Sequence, residues 1–178
     1  MSKKGNDTIP LIVDLNTLGS TESTSSQYFG VKATSLTTSK SLLKWIPNGF
    51  ALSKEIVTRI SLSLASDREL KELNQKFSSL SENGVQKLIV RSSSTLEWLN
   101  GNSFAGLYSS VRGILNFEEL IAAIRTTYKS SQNTSFQCYA ELRGIVLPEE
   151  HLGILVQLEI PVTHSALVVI DQNKDFIE

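Results

Sequence analysis

Twenty residues from Lys87 to Gly106, K-L-I-V-R-S-S-S-T-L-E-W-L-N-G-N-S-F-A-G, carry the densest structural signal in the chain. Leu88, Ile89 and Val90 are an apolar run of strand length, and Arg91 follows at once, which sets a cation at the mouth of a buried strand. Four hydroxyl side chains, Ser92 to Thr95, come next. Asn100 to Gly106 is then a small-residue loop whose two glycines leave backbone N–H groups open to an anion. An arginine, a hydroxyl cluster and a glycine-bearing loop in this order suit a polyphosphate. The plain alternative is a strand followed by a polar turn.

Around this stretch the chain alternates helix-period and strand-period segments. Residues 1–28 read as an N-terminal arm, with Leu11 to Val13 a short strand or a segment packed over the core, and Gly19 to Ser26 a Ser/Thr-rich loop. From Gly30 a helix is expected, with Ala33, Leu36 and Leu43 on its apolar face and Thr34, Thr37, Thr38 and Lys40 facing away. Pro47 and Asn48-Gly49 break it, and Phe50 to Leu52 is a strand. Ser53 caps a helix carrying Ile56, Val57, Ile60 and Leu64, and Ser66 with Glu69 forms a capping box for a helix carrying Leu70, Leu73, Phe77 and Leu80 up to Asn83-Gly84.

Further on, Leu107 to Val111 reads as a strand and Arg112-Gly113 as a turn. Asn116 and Glu119 start a helix carrying Phe117, Leu120, Ile121, Ile124 and Tyr128, and another helix is expected from Thr134 to Arg143. Gly153 to Ile160 is a strand, with Ala166 to Ile170 as its expected antiparallel neighbour. Asp171 to Lys174 resembles a hairpin turn, and Asp175 to Glu178 the start of a returning strand. The pattern predicts a single α/β domain over residues 1–178, a mixed sheet with flanking helices.

A length of 178 residues with 40% hydrophobic and 20% charged is enough for one core. Net charge is −1 with scattered basic residues, which argues against nucleic acid or an anionic membrane as partner. No segment approaches the apolar length of a spanning helix or a signal peptide, and the single cysteine, Cys138, fits a reducing, cytoplasmic setting and a place on a helix face. His151 and His164 have no second ligand at metal spacing, so neither is singled out as a ligand or catalyst.

Val90-Arg91-Ser92-Ser93, Glu97 and Ser103-Phe104-Ala105-Gly106 resemble the V-R-S-S-A-T-A-E-D … S-F-A-G-Q run of the nucleotide-binding domain in phosphoenolpyruvate synthases and pyruvate phosphate dikinases. In the expected order upstream, Gly30 to Leu36 is similar to the family's G-G-K-A-A-N-L, and Ile46 to Leu52 to its V-P-P-G-F-V-L. The resemblance covers Phe29 to Asp171 and implies the N-terminal lobe of an ATP-grasp-like domain.

It also implies a ligand. ATP with Mg²⁺ would bind between this lobe and a second one, and a phosphoryl group would pass to a histidine on a separate phosphohistidine domain and then to pyruvate or another acceptor. By the same resemblance, Lys32, Arg91 and the loop Ser103, Phe104, Ala105 and Gly106 would contact phosphates, and Gln157 would lie near the adenine. The alternatives are a solvated Lys32, an Arg91 paired with Glu97, and an exposed strand position for Gln157. The sequence departs from the family at Val31, at Trp98 and at Leu107 to Ser109. The metal-holding carboxylates and acceptor groups are expected outside this chain, which alone would not turn over. The rival expectation is a noncatalytic relative that serves as a binding or assembly module.

Overall fold

In the computed structural model the apolar run before Arg91 is the first half of β3 (Leu88–Ser94), and its register is set from both sides. The structure describes residues 10–18, 25–38, 44–96, 98–99, 102–103, 106–148 and 150–164. On one side of β3 lies β7 (Leu152–Leu158), pairing Leu88 with Leu158 through Ser94 with Leu152, and on the other lies β6 (Ser110–Ile114). Beyond β7 come β2 (Gly49–Leu52) and then β1 (Ile12–Asp14), so the sheet runs β1-β2-β7-β3-β6.

The expected α/β class holds, with one correction: among the described residues every pairing of the sheet is antiparallel, so it is not mixed there. Strands on both sides of β7 also take its two edges, while the segments proposed as its neighbour and as a hairpin, 166–178, lie outside the described residues.

Alternation along the strands divides the core in two. Phe50, Leu52, Leu88, Val90, Ile154 and Val156 point to one face, where they meet α4 (Lys54–Ser61), α5 (Asp67–Leu80) and α6 (Phe117–Ser130). Ala51 and Leu155 point to the other, against α1 (Leu15–Leu18), α2 (Ser25–Phe29) and α3 (Val31–Thr38). β7 is buried on both faces, which explains its continuous apolar run. A smaller cluster of Leu96, Phe136 and Ala140 sits under α7 (Thr134–Leu142).

The caps read from the sequence are present. Ser53 accepts from the Ile56 N–H, and Ser66 and Glu69 form a complete capping box. At α6, Asn116 accepts from the Glu119 N–H, while the Glu119 carboxylate reaches one residue further back, to the Leu115 N–H.

Several boundaries differ from expectation. Ser25 and Ser26 open α2 rather than ending a loop, and the helix from Gly30 is described only to Thr38, so Lys40 and Leu43 fall outside the described residues. Thr37 is buried, its hydroxyl satisfied by the carbonyls of Ala33 and Thr34. Leu64 is exposed because α4 ends at Ser61, and Cys138 is exposed too.

The strand expected at Leu107 to Val111 is displaced to Ser110–Ile114, so Arg112-Gly113 lies inside it. Leu88 pairs with Ile114 but Val90 with Val111, which leaves an extra residue on β6. Gly113, at φ +78°, absorbs it as a bulge. Glu159 holds that bulge, accepting from Arg112 Nε at 2.9 Å and from the Gly113 N–H at 2.8 Å. The glycine signal was a bulge and not a chain reversal.

Candidate functional site

The site begins where α3 meets β3. Gly30 precedes the helix at φ +80° and lies so close to the strand that a Cβ there would stand 1.8 Å from the Ser93 carbonyl oxygen. Three residues on, the Ala33 N–H donates to Ser93 Oγ at 2.9 Å. Lys32, between these two anchors in the sequence, is half-buried, and its Nζ donates to the Ser92 carbonyl at 2.8 Å. A cation in the first turn opposes the helix dipole, and the strand carbonyl offsets part of that cost. The ammonium is thereby held at the residue that directly follows Arg91.

Arg91 alternates with Ser93 and Ile89 along β3, so its side chain leaves the same face of the sheet that carries α3. It is half-buried and has no hydrogen-bond or ion-pair partner among the described residues. It lines an open cleft of about 290 Å³ with Leu36, Ile46, Pro47, Ile89 and Gln157. The walls are apolar except for the guanidinium and the amide. Such a cleft suits a ligand with a flat apolar part and an anionic part.

Gln157 is 3% exposed, which overturns its reading as an exposed strand residue. Its Nε2 donates to the Pro47 carbonyl at 3.2 Å, tying β7 to the turn that forms one wall of the cleft. Gly49 completes the contact, since a Cβ there would meet the Val156 carbonyl at 2.3 Å. Lys32, Arg91 and Gln157 are therefore brought to one face by α3, β3 and β7.

Of the glycine loop, Asn102–Ser103 is a short strand, β5, paired with β4 (Trp98–Leu99), Trp98 facing Ser103, and Asn100 and Gly101 lie outside the described residues. Phe104 and Ala105 lie outside the described residues, as does Glu97. Gly106 has φ +81° and open space around it.

The hydroxyl run is structural rather than available to a ligand. Ser92, Ser93 and Ser94 are all buried. Ser93 caps α3, and Ser94 Oγ donates to the His151 carbonyl at 3.2 Å while accepting from Tyr108 Oη at 2.7 Å and the Leu96 N–H at 3.0 Å. Thr95 donates to the same His151 carbonyl through both its N–H and its hydroxyl. Alternation in a strand buries every second residue, and a sheet covered on both faces buries the others as well.

His151 stacks on Phe136 at 5.4 Å between ring centres, with Nδ1 2.9 Å from the Pro148 carbonyl. Burial holds its pKa below the ordinary histidine value, opposed by the Pro148 carbonyl and assisted by the Lys54 charge. Its Nε2 is buried without a hydrogen-bond partner among the described residues. Among the described residues no three His, Cys, Asp or Glu gather as a metal site, and no helix is long and apolar enough to cross a membrane.

Two contributors escaped the sequence reading. Ser93 acts as a cap sixty residues away from the helix it caps, which no local motif can reveal. Gly153 allows α2 to sit on β7, since a Cβ there would meet the Phe29 carbonyl at 2.6 Å.

An antiparallel sheet with helices on both faces, with an arginine lining an open cleft on one of them, is consistent with the N-terminal lobe of an ATP-grasp-like domain. The chain belongs to the family described as pyruvate phosphate dikinase, AMP/ATP-binding domain, whose family model matches residues 30–165. No curated protein matches the chain.

Proposed function

We propose that this chain is the ATP-binding lobe of a phosphoenolpyruvate synthase-like phosphotransferase, with Arg91 and Lys32 taking phosphate oxygens. The observation that carries this reading is the half-buried Arg91 guanidinium, which has no anionic partner among the described residues. Withdrawing a cation from water is unfavourable unless an anion compensates, and a triphosphate does so with two forked hydrogen bonds. Lys32 supplies a second positive charge at the next residue of β3. The apolar walls contributed by Leu36, Ile46 and Pro47 suit the base.

Each residue has a distinct task in this reading. Arg91 orients the phosphate chain through its planar fork, Lys32 neutralises charge as a point cation, and the Ser103–Gly106 loop closes over the transferred phosphate and excludes water. Mg²⁺ accompanies the nucleotide in such transfers, where it neutralises phosphate charge. No three of the described residues offer it a carboxylate or histidine set, so no step is assigned to the metal here. The acceptor histidine and the second lobe belong to partner domains, in the same chain or another.

Titration of the chain with a fluorescent ATP analogue tests the assignment. Saturable binding is expected, and Arg91→Ala abolishes it; an affinity unchanged by that substitution refutes the phosphate role of Arg91. A second reading, a noncatalytic assembly module, is favoured by Val31 at the position of the family's second glycine and by Lys32 already engaging Ser92. Absence of any nucleotide binding by the unaltered chain decides for it.

A further inference from the structure

We infer that Ser93 is a positioning residue for the nucleotide: by capping α3 from a neighbouring strand, it sets the Lys32 ammonium at the carbonyl of Ser92, the residue after Arg91. The inference rests on the phosphate-binding role proposed above for Lys32 and Arg91, and goes beyond it by naming what holds Lys32 to the strand that carries Arg91.

The residue before α3 is Gly30, which has no side chain to serve the exposed N–H groups of the first turn. Ser93 supplies the missing acceptor, at 2.9 Å from the Ala33 nitrogen. It is fully buried, and its place in β3 is fixed by pairing with Gly153. The close approach of Gly30 to the Ser93 carbonyl adds a second anchor.

The first turn of α3 is thus pinned on both sides of Lys32, by Gly30 before it and Ala33 after it. From that turn, Lys32 Nζ reaches the carbonyl of Ser92, the residue between Arg91 and Ser93. Neither Ser93 nor Lys32 is among the residues that line the Arg91 cleft, so the effect of Ser93 on a ligand passes through the helix it holds and the ammonium that helix carries. Removing the hydroxyl leaves the buried Ala33 N–H without its acceptor, loosens the first turn, and frees Lys32 to leave the strand.

The test uses the full chain, with Ser93→Ala, Lys32→Gln and the double variant compared by ATP titration. In parallel, acetic anhydride labelling reports the reactivity of Lys32 by peptide mass spectrometry. Ser93→Ala is expected to weaken ATP binding about tenfold, the scale of a lost helix cap. The double variant is expected to bind within about twofold of Lys32→Gln alone, since the two residues act as one unit. Lys32 is expected to acetylate faster in Ser93→Ala.

If Ser93→Ala does not fold, Ser93→Cys, similar in shape but a weaker acceptor, carries the same comparison. Losses that add, or a Lys32 reactivity that does not change, overturn the role of Ser93 while leaving the function intact. No ATP binding by the unaltered chain overturns both.

Discussion

Gly30→Ala is the sharpest test of how α3 is seated. An added Cβ stands 1.8 Å from the Ser93 carbonyl oxygen, 2.2 Å from its carbonyl carbon and 2.7 Å from its Oγ, all well inside contact distance. Two of these atoms are backbone of Ser93, which pairs with Gly153 of β7, so β3 cannot move aside there without breaking that pairing. The helix must lift instead, which forfeits the hydrogen bond from Ala33 to Ser93.

Overpacking of this kind costs about 1–3 kcal/mol, a lost cap about 1 kcal/mol, and a non-glycine residue at positive φ about 1 kcal/mol, for a total of about 3–5 kcal/mol. Gly113→Ala is the matched control. It shares the positive φ but has nothing within 4 Å of the added Cβ, so only the conformational part, about 1 kcal/mol, applies. With urea m-values of about 1–3 kcal/mol per molar, Gly30→Ala lowers the unfolding midpoint by at least about 1 M, several times more than Gly113→Ala. Midpoints within about 0.3 M of each other for the two variants would refute the seating of α3 on β3.

Three further outcomes follow from the same structure. His151 protonates at about pH 6.5 in the unfolded chain but lower when folded, because burial opposes its charge. The unfolded state therefore binds the proton first: stability is complete above about pH 6.5 and declines as pH falls towards the folded value. His151→Asn should flatten this decline in urea midpoints between about pH 7.5 and 5.5, and an unaltered slope would contradict it. Ser53→Ala removes the buried cap of α4 and should cost about 1–2 kcal/mol by urea unfolding, whereas a change below about 0.3 kcal/mol would show that Ile56 finds another acceptor. Limited proteolysis within residues 100–106 should slow when Mg-ATP is added; an identical cleavage pattern argues against that loop as a phosphate lid.

Elements with a local signature were legible. Ser66 with Glu69, Ser53 before Ile56-Val57, and the buried first half of β7 each announce themselves within a few residues, whereas Gln157 in its second half is buried where alternation alone would leave it open. The interactions that place the site are of another kind. Ser93 with Ala33 and Gln157 with Pro47 join residues 60 and 110 positions apart, and the identity of neither partner hints at the other. The hydroxyl run was misread for the same reason. Ser92 to Thr95 suits a polyphosphate as a string of hydroxyls, yet in the fold Ser93 is spent on the Ala33 N–H of α3, and Ser94 and Thr95 on the His151 carbonyl. Gly113 was read as a turn because a glycine signals only a positive φ, and whether that φ reverses the chain or bulges it depends on the partner strand.

The charges on the α3 face run the other way: they are visible in the sequence but make little sense as contributions to the fold. Lys32 sits where a helix dipole disfavours it, and Arg91 is half-buried without a counter-charge among the described residues. Each would be more comfortable elsewhere on a chain whose net charge is only −1. The packing beneath them is, by contrast, tightly specified, with Gly30 against Ser93, Gly49 against Val156 and Gly153 against Phe29. Rigid backbone contacts of this kind suit the phosphate-binding role proposed above, because an anion is bound best by donors that are already in position.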